Sequence, residues 1–280
     1  MKITFYGVRG STPVSGVDSL IFGGHTSCVY VTANNGDSII LDSGTGIIAL
    51  GNELLSNCHD INMLVTHNHW DHIQGFPFFR PIYQDNRNIS IIVGNVDYND
   101  KDAILTQMSG SNHPVKYQDL PSIIQLDTEL AKQDAFSLAS FEITTQPLSH
   151  PDGGTAYCLH ADNQKVAYVT DNELSPVNPP VTSWQEWLAF IDQADVLIHD
   201  AQYLAEDMPL KQGWGHSTVD QVVELALQAK VKRLYFISHD PARKDSDLLT
   251  IEASLRTKYQ HQLAIEFARE GTHIELIASL

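Results

Sequence analysis

Residues 66–72 read Thr-His-Asn-His-Trp-Asp-His, which places three histidines and an aspartate within six positions. Imidazole nitrogens and carboxylate oxygens are common ligands of divalent transition metals, so the string predicts a metal site. A helix would turn His67 and His69 about 200° apart, and a strand would take His72 off the face shared by the others. We therefore predict a loop that sends some ligands to one metal and some to a second, an arrangement suited to hydrolysis.

Three further candidate ligands follow apolar, β-branched runs, just as the histidine string follows residues 61–65. They are His150, Asp171 and His239. Strand ends that meet at one edge of a sheet bring residues distant in sequence into one cleft, and the strands make the cleft rigid. We expect these residues to join the histidine string there.

The elements that must position these residues are mostly strands. Hydrophobic patterning predicts strands at 2–8, 27–32, 38–41, 61–65, 89–93, 141–148, 155–160, 165–170, 195–198, 233–237 and 274–277, and helices at 46–55, 101–108, 184–191, 218–229 and 248–259. The simplest architecture packs sheet on sheet with helices outside. We expect a single domain over 1–280, with a cap over the cleft around 94–127.

The histidine string, followed in order by the three strand-end ligands, resembles the metallo-β-lactamase superfamily of binuclear hydrolases along nearly the whole chain. The resemblance implies a four-layer αββα sandwich of the α/β class. It also implies two divalent ions, Zn²⁺ first, with Mn²⁺ or Fe²⁺ as alternatives. One ion would be held by His67, His69 and His150, the other by Asp71, His72 and His239, with Asp171 bridging them.

A second motif narrows the reaction class. Gly215-His216-Ser217-Thr218 precedes a predicted helix, with Ser217 as the expected N-cap, and Asp200 follows the predicted strand 195–198. A carboxylate commonly orients a catalytic imidazole, so we expect Asp200 to hold His216. This pair resembles the phosphodiesterase branch of the superfamily, which includes tRNase Z and the cyclic-phosphate phosphodiesterase of phosphonate breakdown, although tRNase Z usually has Glu in place of Asp200.

Charge and spacing bear on the substrate. The 280 residues include 17 basic and 34 acidic ones, a formal net charge of −17, which disfavours a long polyanion. Only about 20 residues separate His150 from Asp171, where tRNase Z inserts its basic tRNA-binding arm. We therefore expect a small phosphodiester substrate and neither tRNA nor a membrane as a partner. The absence of an apolar span or signal peptide predicts a cytoplasmic protein, and analogy with related phosphodiesterases suggests a homodimer.

The expected mechanism is attack on phosphorus by a hydroxide that bridges the metals. Asp71 would accept or hold the proton of the nucleophile, and His216, supported by Asp200, would stabilise or protonate the leaving alkoxide. Two alternatives remain open: a thioesterase or lactonase of the glyoxalase II type, which shares the metal ligands, and a binding protein on a degenerate fold.

Two more segments belong with this site by their sequence. Residues 42–46, Asp-Ser-Gly-Thr-Gly, match the early Asp-x-Gly motif of the superfamily. Small residues there allow close backbone approach, and Asp42 is expected to hydrogen-bond the ligand loop. Arg9 and His25 lie in glycine-rich segments, from which either could reach substrate.

Overall fold

The computed structural model describes residues 1–57, 59–94 and 102–276. Within these ranges the strands are β1 Lys2–Gly7, β2 Cys28–Thr32, β3 Ser38–Leu41, β4 Ile61–Val65, β5 Asn88–Val93, β6 Ile123–Asp127, β7 Ala135–Leu138, β8 Phe141–Pro147, β9 Thr155–Ala161, β10 Gln164–Val169, β11 Val196–Asp200, β12 Arg233–Ile237, β13 Ala264–Phe267 and β14 His273–Glu275. The α-helices are α1 Ile47–Leu54, α2 Trp70–Ile73, α3 Ala103–Thr106, α4 Trp184–Ile191, α5 Met208–Lys211, α6 Val219–Gln228 and α7 Asp245–Tyr259.

The strands form two seven-stranded sheets. The first has the order β14-β1-β2-β3-β4-β5-β6 and the second β13-β12-β11-β10-β9-β8-β7. Strands β3 to β6 pair in parallel, as do β10 to β13, and the remaining pairs are antiparallel. Each sheet is thus mixed, with a parallel part whose carboxyl ends carry the site.

The sheets pack face to face over a shared core that draws Phe5 and Val31 from the first sheet and Tyr157 and Ile198 from the second. Two further cores cover the outer faces beneath the helices, one with α1 and one with α4, α6 and α7. Side chains alternate between the two faces of a strand, so a single strand contributes to two cores. In β11, Ile198 lies in the central core and Leu197 lies in the core on the helix side. The predicted αββα sandwich is confirmed.

The patterning missed three strands, β6, β7 and β13, and each is the edge of a sheet. In β6, exposed residues alternate with half-buried ones, and in β7 one residue of the four is buried. The contrast between buried and exposed positions is therefore too weak for the apolar pattern to predict a strand. The loop predicted for 66–72 is only partly correct, because its second half begins the short helix α2.

The expected cap around 94–127 lies partly outside the described residues. In its described part, Ile104 and Met108 are buried in the outer core beside the first sheet. Residues Ile123–Asp127 pair with β5 as an edge strand, so this portion belongs to the sheet and not to a cap. Throughout the described ranges, no helix is long and apolar enough to cross a bilayer.

Candidate active site

Strand ends from both sheets deliver the candidate ligands to one edge of the sandwich. His67 lies two residues beyond β4, Asp171 two beyond β10 and His239 two beyond β12. His150 lies three residues beyond β8. Asp171 and Ser238 have left-handed backbone, with φ of 53° and 54°, so the chain turns sharply as it leaves each strand. Asp42, directly after β3, does the same with a φ of 61°.

The histidine string changes conformation in its middle. His69 is extended, with φ −62° and ψ 148°, and forms the N-cap of α2, so Asp71 and His72 lie on a helical turn. This change lets one short segment serve two groups. His67, His69 and His150 have ring nitrogens within 4.8 Å of one another, and so do the ligand atoms of His67, His72 and Asp171.

Asp171 lies between the two groups. Its Oδ2 is 3.1 Å from Nε2 of His72, 3.7 Å from Nε2 of His67 and 3.9 Å from Nε2 of His150. Nε2 of His150 is in turn 2.9 Å from Nδ1 of His69. One carboxylate can therefore reach both groups, as a bridging ligand must.

Asp71 and His239 sit at the far side of this cluster. Oδ2 of Asp71 is 3.3 Å from Nε2 of His72 and accepts the backbone N–H of Ser11 at 2.8 Å. Nε2 of His239 donates to the carbonyl of Ala268 at 2.9 Å, which leaves its Nδ1 as the free nitrogen. His239 belongs to neither of the two three-residue groups found among the described residues.

The donor atoms fit a metal ion. Nε2 of His67 and Nδ1 of His239 are buried and have no hydrogen-bond partner, and such orphaned atoms are rare unless they serve a ligand. Burial lowers the pKa of His150 to about 4 and that of His239 to about 3, so both imidazoles are neutral and keep a free electron pair.

The carboxylates are also suited to a bound cation. Asp42, Asp71, Asp171 and Asp200 are buried, and within the described chain none of them forms an ion pair with a lysine or arginine. Burial lowers the pKa of His72, but the surrounding aspartates outweigh it and raise the pKa well above its usual value. Buried negative charge is normally paired or bound to metal, so this cluster is electrostatically suited to divalent ions.

Asp42 fixes the ligand string from behind. Its Oδ2 lies 2.9 Å from Nδ1 of His72 and accepts the hydroxyl of Tyr168 at 2.8 Å, while Oδ1 accepts the backbone N–H of Thr66 at 2.7 Å. A Cβ on Gly44 would lie 2.3 Å from the carbonyl oxygen of Asp71. Both observations agree with what residues 42–46 led us to expect.

His216 and Asp200 meet as the sequence predicted. Nδ1 of His216 is 3.0 Å from Oδ2 of Asp200, and its ring centroid is 5.5 Å from that of His150. We had expected Asp200 to follow the strand, but it is the last residue of β11.

The predicted N-cap is wrong by one residue. Thr218 caps α6 in a capping box with Gln221. The hydroxyl of Ser217 instead donates to the carbonyl of Asn172 at 2.6 Å. Ser and Thr are both preferred N-caps, so the sequence favours Ser217 only slightly over its neighbour.

Arg9 is bonded to the backbone of two loops. Its guanidinium is fully buried and donates to the carbonyls of Gly23 and Arg243 at 2.8 and 2.9 Å, so it ties loops together. His25 is exposed, and its Nδ1 lies 3.1 Å from Oγ1 of Thr45.

Glu173 was not singled out by its sequence context, yet it organises the loop before His216. Its carboxylate accepts the backbone N–H of Gly213 at 3.0 Å and that of Gly215 at 3.1 Å. The carbonyl of Gly215 in turn accepts Nδ1 of His150 at 3.0 Å. Its position two residues after Asp171 was the only available signal.

Comparison with known proteins places the chain among related enzymes. Residues 38–239 match the beta-lactamase superfamily domain. A ribonuclease Z of Picrophilus torridus is 25% identical over 293 residues, which cover 90% of each chain. A ribonuclease Z of Gemmatimonas aurantiaca is 38% identical over 89 residues, 32% of this chain and 27% of that protein.

Two solved structures have the same overall fold. The metallo-β-lactamase fold protein YhfI from Bacillus subtilis is 18% identical with a TM-score of 0.69, over 98% of each chain. A diphosphatase from the PhnP family is 17% identical with a TM-score of 0.65, over 100% of this chain and 99% of that one. At these identities the likeness concerns the fold.

Proposed function

The chain belongs to the β-lactamase superfamily and is a metal-dependent hydrolase with phosphodiesterase-like relatives, and from this premise we propose that it hydrolyses a small or cyclic phosphodiester with two metal ions. One observation favours a phosphodiester as the bond that is cleaved. His216, held by Asp200, stands beside the candidate bridging ligand Asp171, with Nδ1 4.0 Å from Oδ1 of that aspartate. A proton donor next to a cationic centre suits cleavage of an ester that leaves an alkoxide.

The first proposed ligand set coincides with one of the two groups, and the second shares His72 and the bridging Asp171 with the other. One ion would be held by His67, His69 and His150 and the other by Asp71, His72 and His239, with Asp171 shared. The orphaned Nδ1 of His239 supports its assignment. When bound, two divalent ions, Zn²⁺ in first place, supply a water of lowered pKa and positive charge for the phosphoryl oxygens.

The side chains carry the proton movements. Asp71 faces the cluster through Oδ2, which the Ser11 N–H orients, so it can hold the proton of the attacking water. His216 lies beside Asp171 and donates a proton to the leaving oxygen, while Asp200 fixes its Nδ1 and leaves Nε2 free to donate. Asp42 keeps His72 oriented throughout.

The size of the substrate is the more specific part of the proposal. Three relatives are named ribonuclease Z, which stands partly against our expectation that tRNA is not a substrate. The net charge of −17 and the short connection from His150 to Asp171 support a small diester. The thioesterase alternative shares the metal ligands but gives no role to His216 and Asp200.

A substrate panel tests this proposal. Protein loaded with Zn²⁺ is assayed with bis(p-nitrophenyl) phosphate, a 2′,3′-cyclic nucleotide, a tRNA precursor, a thioester and a lactone. We expect turnover of the first two compounds alone. Cleavage of the tRNA precursor in preference to the small diesters would overturn the substrate class, and rapid thioester or lactone cleavage without phosphodiesterase activity would overturn the reaction class.

A further inference from the structure

A cavity of about 290 Å³ opens beside the candidate metal centre. Its lining includes Glu173 and His150, and His150 is also a candidate metal ligand. Most of the remaining wall comes from the loop that follows Glu173, with Pro176, Val177 and Val181. This volume is at the small end of ligand sites, which suits one ring-sized group.

The loop is held in place at both ends. Before it, the backbone N–H of Glu173 donates to the carbonyl of Ser149 at 2.9 Å. At its far end the N–H of Val181 donates to Oγ of Ser149 at 3.1 Å, and Oγ1 of Thr182 donates to the carbonyl of Pro147 at 2.7 Å. Both ends are thus fixed to the end of β8, the strand that delivers His150.

The sequence of the loop also limits its freedom. Prolines at 176, 179 and 180 fix the φ angle at three positions, so the wall of the cavity is largely formed before anything binds. Val177 and Val181 nevertheless expose 71% and 69% of their surface. A rigid wall with exposed apolar side chains is suited to an apolar group of a ligand.

The charge of the cavity restricts its occupant. None of the lining residues, all of which lie within the described ranges, is a lysine or arginine. The acidic group is Glu173, whose carboxylate already accepts backbone N–H groups of Gly213 and Gly215. A second phosphate would meet this carboxylate without a counter-charge, so the cavity accepts a neutral group and disfavours an anionic one.

We propose that this cavity is a specificity subsite for the neutral, ring-sized ester group that the phosphate keeps after hydrolysis. The inference rests on the proposed function. The leaving group must lie beside His216, and neither His216 nor Asp200 lines the cavity. The retained group is therefore the one directed past His150 into the space between Glu173 and Val177.

The first experiment varies the retained group and keeps the leaving group constant. Esters of p-nitrophenyl phosphate with methanol, phenol or the 5′-hydroxyl of thymidine are compared at equal metal loading. We expect KM to fall roughly tenfold from the methyl to the phenyl and thymidyl esters, because a ring buries more apolar surface. The same KM for all three would overturn the subsite.

Filling the cavity should remove this preference. Val177→Trp is expected to bring the phenyl and thymidyl KM within about twofold of the methyl KM. Leu249→Trp, on an exposed face of α7, is the matched control and should keep the wild-type order. Equal effects of the two substitutions would contradict the inference.

Charge is tested with thymidine 5′-p-nitrophenyl phosphate and its 3′-phosphorylated form. The extra phosphate should raise KM about tenfold, and Asn178→Lys, which adds a cation to the cavity wall, should reduce that penalty. A lower KM for the 3′-phosphorylated form would point to a polynucleotide and overturn the neutral occupant.

Binding without turnover separates this inference from the proposed function. Calorimetry compares phenyl methylphosphonate with methyl methylphosphonate on the metal-loaded wild type and on Val177→Trp. If no diester is hydrolysed, but the phenyl compound still binds about tenfold more tightly and Val177→Trp abolishes the difference, the proposed reaction fails and the subsite stands. Equal binding of the two compounds contradicts the subsite.

Discussion

Nδ1 of His216 lies 3.0 Å from Oδ2 of Asp200, and both side chains are buried at the edge of the sandwich. Burial lowers the pKa of His216, but the carboxylates of Asp171 and Asp200 outweigh it and raise the pKa to about 8. With these two carboxylates as its neighbours and before any metal is bound, the imidazole can therefore carry a proton at neutral pH. This relationship supports His216 as the proton donor of the proposed reaction.

His216→Ala should lower kcat for bis(p-nitrophenyl) phosphate by ~10²-fold or more, because the leaving oxygen loses its proton donor. Metal content should stay near two ions per chain, since His216 is not in either proposed ligand set. The checks are steady-state kinetics and metal analysis by mass spectrometry. His273→Ala, which removes an exposed histidine on β14, serves as control and should leave kcat unchanged. Full activity of His216→Ala would remove the donor role.

Asp200→Asn should act through His216. In the wild-type background we expect a loss of roughly 10- to 100-fold in kcat, because the imidazole loses the carboxylate that orients it and favours its protonated form. In the His216→Ala background the same change should cost less than about threefold, since residues that act as a unit are not additive. Additive losses in the double variant would show that Asp200 acts independently.

Asp42→Ala should weaken metal binding without removing a ligand. His72 loses the carboxylate that orients its ring, so we expect Zn²⁺ affinity to fall about 10- to 100-fold, measured by competition with a chromogenic chelator. Stability should fall by about 2–4 kcal/mol, because the Tyr168 hydroxyl and Thr66 N–H lose their acceptor.

Asp195→Asn is the matched control for that experiment. Its carboxylate also accepts a backbone N–H, that of Lys165 at 2.8 Å, but it lies before β11 at the opposite end from the site. It should keep the wild-type affinity for Zn²⁺. Equal affinity in Asp42→Ala and Asp195→Asn would contradict the role of Asp42.

Glu270 should make stability depend on pH. Burial raises its pKa to about 7, despite hydrogen bonds from the His25 and Gly24 N–H groups and the charge of Arg9. Between about pH 4.5 and 7 the folded chain keeps a proton that the unfolded chain has lost, so this contribution to stability is lost as pH rises through that window. Glu270→Gln cannot titrate at this position. From pH 5 to pH 8 its free energy of unfolding should therefore rise relative to that of the wild type, by on the order of 1 kcal/mol after solvent screening.

Urea unfolding of both proteins at pH 5 and pH 8, at the same metal content, measures this difference. Glu224→Gln removes an exposed carboxylate on α6 and should follow the wild type at both values. If the stability gap between Glu270→Gln and the wild type is the same at pH 5 and pH 8, the pKa of Glu270 is not raised in the fold.

The central strands and the convergence of the ligands at one edge were readable from sequence. His67, Asp171 and His239 each follow an apolar run, because a buried strand must be apolar while the polar residue that ends it faces the cleft. Edge strands such as Ile123–Asp127 lack that contrast, since much of their surface faces solvent.

Contacts between distant segments that no motif marks could not be predicted. Nothing in the sequence around Ser11 indicates that its backbone N–H reaches Asp71, because such a contact depends on how the first loop crosses the cleft. The cavity beside His150 likewise depends on where residues 174–182 fold back onto β8. Local patterns predict elements, and these features arise from the packing of elements.

The left-handed backbone at Asp42, Asp171 and Ser238 limits which substitutions the strand ends tolerate. A β-branched or bulky side chain is strained in that region, while glycine, asparagine and aspartate adopt it readily. Two requirements therefore restrict the residue type at each of these positions: it must tolerate the left-handed backbone, and its side chain must make the contacts seen there. In libraries that randomise these three codons or those of the preceding strand residues, functional clones should contain fewer different residue types at the three positions than in the strands.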